Sequence, residues 1–184
     1  MYKKIVVTLD GSKLAECVLP HVQDIARGCG AEDVVLITVT ERIAGLVSSY
    51  EHAVTTGNNE VHQPFIGFSD RPYSGKQFEI DPDLKIPLVT GKILKQGQRY
   101  LARVADQLGK KGVRAGIVIL MGEAAEQIVD FAGVEKADLI IMASHGRSGF
   151  SRWAMGSVAE KVFRGSNVPI LLIKASPTDI GKQQ

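Results

Sequence analysis

The sequence predicts an α/β fold: a five-stranded parallel sheet with helices on both faces, a three-layer sandwich. Three observations predict it. Short apolar, β-branched runs recur along the chain, as expected for strands buried on both faces. Segments with apolar residues at helical spacing separate them. Glycine, serine and aspartate mark most of the changeovers. Alternation of this kind is satisfied by right-handed crossovers that lay helices on either side of parallel strands.

The first strand is Ile5 to Leu9, ended by Asp10-Gly11-Ser12, a turn and helix-capping signal. Leu14, Val18, Val22, Ile25 and Cys29 then follow a helical period, with Gly28 and Gly30 as the stop. Pro20 falls inside this pattern and is expected to kink the helix, because it lacks the donor for an interior hydrogen bond. Val34 to Val39 is the second strand. Ile93, Leu94, Tyr100, Leu101, Val104, Ala105 and Leu108 trace an amphipathic helix closed by Gly109 and Gly112. Ile117 to Leu120 is the third strand, and Met121-Gly122-Glu123 turns into a helix carrying Ile128, Val129 and Ala132. Leu139 to Met142 is the fourth strand, Ser157 to Arg164 a short helix, and Val168 to Ile173 the fifth strand. Pro169 points to an edge position or a strand entrance.

The pattern dissolves from about Gly45 to Thr90. This stretch holds four of the seven prolines (Pro64, Pro72, Pro82, Pro87), together with Tyr50, Phe65, Phe68, Tyr73 and Phe78. Structureless connections of that length are uncommon inside a domain, and the aromatic residues argue against plain disorder. We read residues 45–90 as an arm inserted into a single domain spanning 1–184, packing on its own domain or on a partner.

Composition narrows the function. A net charge of +2 with no basic cluster predicts no nucleic-acid partner. No apolar run approaches the roughly 20 residues of a membrane-spanning helix, so no membrane association is expected. The start, Met1-Tyr2-Lys3-Lys4 followed directly by a strand, has no signal-peptide pattern, which predicts a cytoplasmic protein. Cys17 and Cys29 are twelve residues apart on one helical segment, roughly 18 Å on a continuous helix and too far for a disulfide. They are expected to be small buried hydrophobes.

Ligands of such sheets bind beyond the carboxyl ends of the strands, where the strand order reverses. That rule selects Thr8 to Ser12, Val39 to Arg42 and Ala143 to Ser157. The last of these reads Ala143-Ser144-His145-Gly146-Arg147-Ser148-Gly149, continues through Phe150 to Met155, and ends in Gly156-Ser157. Gly146 and Gly156 would let backbone approach an anion closely. The N–H groups of Ser157, Val158 and Ala159 at a helix start would point at phosphate. Ser148 and Ser157 add hydroxyl donors and Arg147 a cation. The plainer alternative is a Gly/Ser-rich connection ending in a serine cap. Lys13 follows Gly11-Ser12, but the order and glycine spacing of a Walker loop are absent. His21, His52 and His62 lack metal-ligand spacing, no Gly-x-Ser-x-Gly elbow is present, and Glu123 and Glu126 read as first-turn acids. Neither catalytic residues nor a metal site are predicted.

The segment Ile140 to Gly146, nine residues, and then Gly156 to Val162 together resemble the signature of universal stress proteins, whose nucleotide-binding branch carries Gly-x2-Gly-x9-Gly-Ser/Thr. The resemblance extends to Lys4-Ile5-Val6-Val7 with Asp10-Gly11-Ser12 and to Val168 through Ile173, leaving out only the arm. One position departs: Ala143 stands where the pattern has its first glycine, while Gly146, Gly156 and Ser157 match. Alanine is tolerable there if its backbone torsions are ordinary.

The resemblance implies an adenine nucleotide alpha hydrolase-like, Rossmann-like fold and ATP or AMP as ligand, with or without Mg2+. It implies Thr8, Leu9 and Asp10 beside ribose and base, Val39 on adenine through its backbone, and Met142 and Ala143 flanking the site. It further implies His145, Gly146, Arg147, Ser148 and Gly149 along the phosphates, completed by Gly156, Ser157 and Val158. The residues themselves leave Asp10 open between a ribose acceptor and a helix-start turn, and His145 between a phosphate donor and a loop residue. Three functions remain: regulatory nucleotide binding in a stress response, slow ATP hydrolysis, or a nucleotide-free interaction module working through the aromatic arm. The family also implies a homodimer through strand 168–173, whose flat apolar edge would otherwise be open to pairing.

Overall fold

Ile5 and Val7 pack toward one side of the sheet and Val6 toward the other, and none of the three is accessible to solvent. Burial on both faces is what an uninterrupted apolar run requires, and it places the first strand in the interior of the sheet. The computed structural model describes residues 1–40, 66–67, 88–144 and 155–174. Its strands are β1 (Lys4–Thr8), β2 (Asp33–Thr40), β3 (Ile66–Gly67), β4 (Gly116–Met121), β5 (Leu139–Ala143) and β6 (Ile170–Ile173). They form one sheet in the order β3-β4-β2-β1-β5-β6. The five expected strands are all present and pair with one another in parallel. A sixth was not expected: β3, from within the arm, pairs antiparallel with β4 through Ile66↔Ile119 and Gly67↔Val118.

A 3-10 turn (Ala15–Val18) leads into α1 (Leu19–Cys29), and α2 (Leu88–Lys110), α3 (Ala124–Val134) and α4 (Ser157–Gly165) follow. One face of the sheet carries Leu19, Val22 and Ala26 of α1 with Leu94, Leu101, Val104 and Leu108 of α2. The other carries Ala125, Ile128, Phe131 and Ala132 of α3 with Ala159 and Val162 of α4. Each fully buried Leu, Ile or Phe contributes about 1.5–3 kcal/mol, so these two apolar layers hold the sandwich together. A Cβ at Gly97 of α2 would lie 3.2 Å from Ile119 Cδ1 and 3.5 Å from Thr38 Cγ2, so the missing side chain lets this helix lie close on β2 and β4.

Pro20 does not kink a continuous helix. The segment before it is a 3-10 turn, and Pro20 sits in the first turn of α1, where proline's fixed φ suits the helix and its missing N–H costs little. α2 starts at Leu88, inside the span expected for the arm. The last strand starts two residues later than the apolar run, because Ser166 Oγ accepts the Val168 N–H at 3.0 Å in a turn. Pro169 then enters the edge strand through its carbonyl alone, accepting the Ile140 N–H at 2.9 Å. Cys17 and Cys29 are half-buried and form no disulfide. No helix of the described residues is long and apolar enough to cross a membrane.

The amino-terminal end of the sheet is closed by charge. Lys4 Nζ lies 2.9 Å from Glu135 and 3.6 Å from Asp33. Asp138 Oδ2 accepts the backbone N–H groups of Lys3 and Lys4, both at 2.8 Å. Burial pushes the Asp33 carboxyl up, against the pull of Lys4.

Candidate functional site

From β1 the chain steps to β2 and then β4 on one side, and after α3 it returns to β5 on the other side of β1. The strand order therefore reverses between β1 and β5, and the crevice beyond their carboxyl ends is where such sheets take ligands. Thr8, Leu9 and Asp10 stand at one lip and Met142, Ala143 and Ser144 at the other.

On the β1 side, Thr8 pairs with Ile37 and is half-buried, while Leu9 is buried and donates its N–H to the Ile37 carbonyl at 2.9 Å. Asp10 forms the turn that the Asp-Gly-Ser order predicts. Its Oδ1 accepts the N–H of Ser12 at 2.9 Å and the Ser12 hydroxyl at 2.6 Å. Ser12 Oγ in turn accepts the Ala15 N–H at 3.1 Å, capping the 3-10 turn. Gly11 takes φ +86°, a torsion that favours glycine and that the sharp exit from β1 requires. Val39, next to the end of β2, pairs with Leu120, and its side chain packs against the apolar layer under α3 and α4.

On the β5 side, Met142 is 3% exposed, with its side chain packed in the layer under α3 and α4. Ala143 pairs with Ile173 in regular strand conformation and has no positive φ. Its methyl group packs on the opposite layer, the one that holds Ile141, Ile5 and Val7. The glycine of the family pattern is therefore not needed here for torsional reasons.

Two backbone bonds bring the start of α4 to this lip. Ser144 donates to the Ile173 carbonyl and Gly156 donates to the Ser144 carbonyl, each at 2.8 Å. Gly156 is the N-cap of α4 in extended conformation, with φ −61° and ψ 146°, and no side chain caps the helix. The first backbone donor of α4 that is used is Glu160, to the Gly156 carbonyl at 2.9 Å. The N–H groups of Ser157, Val158 and Ala159 thus have no hydrogen-bond partner among the described residues. Three donors and the positive end of a helix dipole, held beside a switch point, suit an anion. His145, Gly146, Arg147, Ser148 and Gly149 lie outside the described residues, as do the arm aromatics.

α3 contrasts with α4. Glu123 is its N-cap, and its Oε2 accepts from the N–H of Ala125 at 2.8 Å and of Glu126 at 3.1 Å. Its Oε1 takes Lys161 Nζ at 2.8 Å, and this lysine, more than the backbone donors, holds the carboxyl below the usual range. Of the two glutamates read from the sequence as first-turn acids, Glu126 is one, whereas Glu123 stands one position earlier, as the N-cap. Among the described residues, no three His, Cys, Asp or Glu side chains gather as a metal site.

Sequence reasoning missed a polar cluster behind the Asp10 turn. Glu16, in the 3-10 turn, is 7% exposed and receives Arg103 Nη2 at 2.6 Å. The Arg103 guanidinium lies 5.3 Å from the centre of the Tyr100 ring. Burial first, then the charges of Glu16 and Asp10, push the Tyr100 phenol up. Two signals were available: a glutamate between Leu14 and Val18 on an apolar stripe, and the i, i+3 spacing of Tyr100 and Arg103.

Comparison with known proteins agrees with this architecture. Residues 76–174, more than half of the chain, match the model of the universal stress protein family. The universal stress protein MJ0531 of Methanocaldococcus jannaschii is 29% identical over 174 residues, covering 95% of this chain and 83% of the relative. Universal stress protein MJ0577 of the same organism is 28% identical, covering 95% and 96%. Its solved structure aligns with a TM-score of 0.66 over 96% of this chain and 98% of that one, at 26% identity. Two solved structures with the same fold hold nucleotides of their own. A universal stress protein in complex with cAMP aligns at TM-score 0.56 and 18% identity over 95% of this chain and 98% of that one. An Arabidopsis thaliana family protein with AMP bound also aligns at 0.56, with 12% identity over 98% and 97%. With its sheet order, its glycine-serine helix start and this match along most of its length, the chain belongs to the universal stress protein family.

Proposed function

We propose that this protein binds an adenine nucleotide, ATP or AMP, as a regulatory ligand in a stress response. The observation that carries this reading is the set of N–H groups of Ser157, Val158 and Ala159, without partners among the described residues and tied to the β1/β5 crevice by the Gly156 N–H to Ser144 carbonyl bond. These donors would hold phosphate, with the ribose beside Thr8, Leu9 and Asp10 and the adenine against the backbone of Val39. Met142 and Ala143 would flank the ligand. His145, Gly146, Arg147, Ser148 and Gly149 belong to the same reading as the phosphate-side loop. The cAMP and AMP complexes of family members support the ligand class. Mg2+, where it accompanies ATP, would serve the phosphates and carry part of their charge.

Binding rather than turnover is the function in this reading. Hydrolysis needs a positioned water and usually a carboxylate-held metal near the γ-phosphate, and the Asp10 carboxylate is already committed to the Ser12 turn through Oδ1. In the same reading the chain is a single cytoplasmic domain, 1–184, with an inserted arm, and two copies pair through β6, whose four residues are all half-exposed at the sheet edge. Titration calorimetry with ATP, ADP and AMP tests the ligand: saturable binding of at least one is expected, and no heat with any of them at millimolar concentration refutes the reading. Phosphate release at stoichiometric protein should stay at the level of a Gly156→Trp variant. Clear release that this variant abolishes would replace a regulatory site with an ATPase.

A further inference from the structure

We infer that Arg103 and Tyr100 of α2 are positioning residues for the nucleotide site, acting through the buried carboxylate of Glu16 on the Asp10–Ser12 turn. The inference rests on the nucleotide reading above and deepens it by assigning residues outside the family's loop pattern.

The contacts form an unbroken chain. Asp10 Oδ1 takes both the N–H and the hydroxyl of Ser12, and Ser12 Oγ takes the N–H of Ala15. The next residue is Glu16, whose side chain is only 8% exposed. A carboxylate that deep in an apolar layer needs a partner, and Arg103 supplies it at 2.6 Å from a different element. Arg103 is itself fixed over the Tyr100 ring at 5.3 Å, a cation–π distance. The Tyr100 hydroxyl is buried near Glu16 and Asp10 without a hydrogen-bond partner among the described residues, so the ring is the part of Tyr100 that holds Arg103.

Without this link, the segment from Gly11 to Leu14 would be held by its local turn bonds and by the burial of Ala15 and Val18 just after it. With it, the turn is tied to a 23-residue helix packed along the sheet. An Asp10 carboxylate and Thr8–Asp10 backbone held at one fixed distance from the α4 donors can contact ribose and phosphate at once, which is how preorganisation raises affinity.

The test uses hydrogen exchange and ATP titration on the full chain. A Glu16→Met, Arg103→Met double variant removes both charges together, so no buried charge is left stranded. Exchange at the Ser12 and Ala15 amides should rise about tenfold, the scale of one coupled contact, while amides of β1 and β2 keep their protection. ATP should bind about tenfold more weakly, and Asp10→Ala should add little in this background, because both changes disable the same turn. Tyr100→Leu, which removes the ring under Arg103, should produce a smaller rise at the same two amides, and Arg103→Lys alone should raise exchange less than the double variant does. Unchanged exchange at Ser12 and Ala15 in a folded double variant overturns the link. Wild-type protein that binds no nucleotide overturns the site reading and with it the affinity claim. Fully additive losses with Asp10→Ala overturn the claim that Arg103 acts through the turn.

Discussion

At the amino-terminal end of the sheet, Lys4 sits between the carboxylates of Glu135 and Asp33, and Asp138 takes two backbone N–H groups. At the carboxyl-terminal end, three N–H groups of α4 have no partner among the described residues, and the turn after β1 is held by an internal Asp10–Ser12 contact. Both ends are polar, but one pairs its charged groups internally, with Asp33 Oδ2 held by Lys4 at ion-pair rather than hydrogen-bond distance, and the other leaves three donors without a partner among the described residues. The difference separates residues that stabilise the fold from residues that serve a ligand. It also means that mutations at the two ends should fail different assays.

The largest expected effect breaks the closed end. Lys4→Met takes the cation from between Asp33 and Glu135 in a half-buried site, and losing one partner of such a cluster costs about 3 kcal/mol. Chemical denaturation should show that loss while nucleotide affinity stays unchanged. An affinity change would erase the division between the two ends.

Ser157→Pro addresses the open end. Proline suits the first helical position, and Gly156, at φ −61° and ψ 146°, already has the extended conformation a residue before proline prefers. The substitution therefore deletes a donor and a hydroxyl with stability expected to stay within about 0.5 kcal/mol. Hydrogen bonds to a charged acceptor contribute about 1.5–3 kcal/mol, so ATP should bind at least about tenfold more weakly.

A smaller effect depends on pH. The N–H groups of Lys4 and then Lys3 hold the Asp138 carboxyl below its ordinary value of 3.8. With the folded value below the unfolded one, its contribution is present above about pH 3.8 and disappears as pH falls through the folded value. Asp138→Asn should flatten that part of the acid limb of the stability curve. Asp33 runs the other way: burial raises its carboxyl, so it favours the folded state more after protonation than before. The smallest change is Glu123→Gln, which weakens an exposed cap and its Lys161 contact and should cost about 0.5–1 kcal/mol in thermal denaturation.

Much of this arrangement was legible in the residues. Apolar runs such as Val34 to Val39 marked the strands because a doubly covered parallel sheet accepts little else. The Gly156-Ser157 start of α4 was visible because helix starts have a local signature. Pro20 was misread because a helical period does not distinguish a 3-10 turn plus a helix from one longer helix. Strand β3 escaped because two residues carry no period at all. Glu16 and Arg103 are 87 residues apart, and no local pattern reports that one buries its charge against the other. Ala143 posed a question the sequence left open, namely whether its backbone torsions are ordinary, and its place in regular strand register with Ile173, without a positive φ, answers it.

The central claim is that the amino terminus of α4 holds nucleotide phosphate, and parallel calorimetric titrations of wild-type and Ser157→Pro protein with ATP and with adenosine test it most directly. The account predicts that wild-type protein binds ATP more tightly than adenosine, and that the variant loses this preference while its adenosine affinity is unchanged. Equal affinity of wild-type protein for ATP and adenosine, or an ATP affinity untouched by the proline, would contradict it.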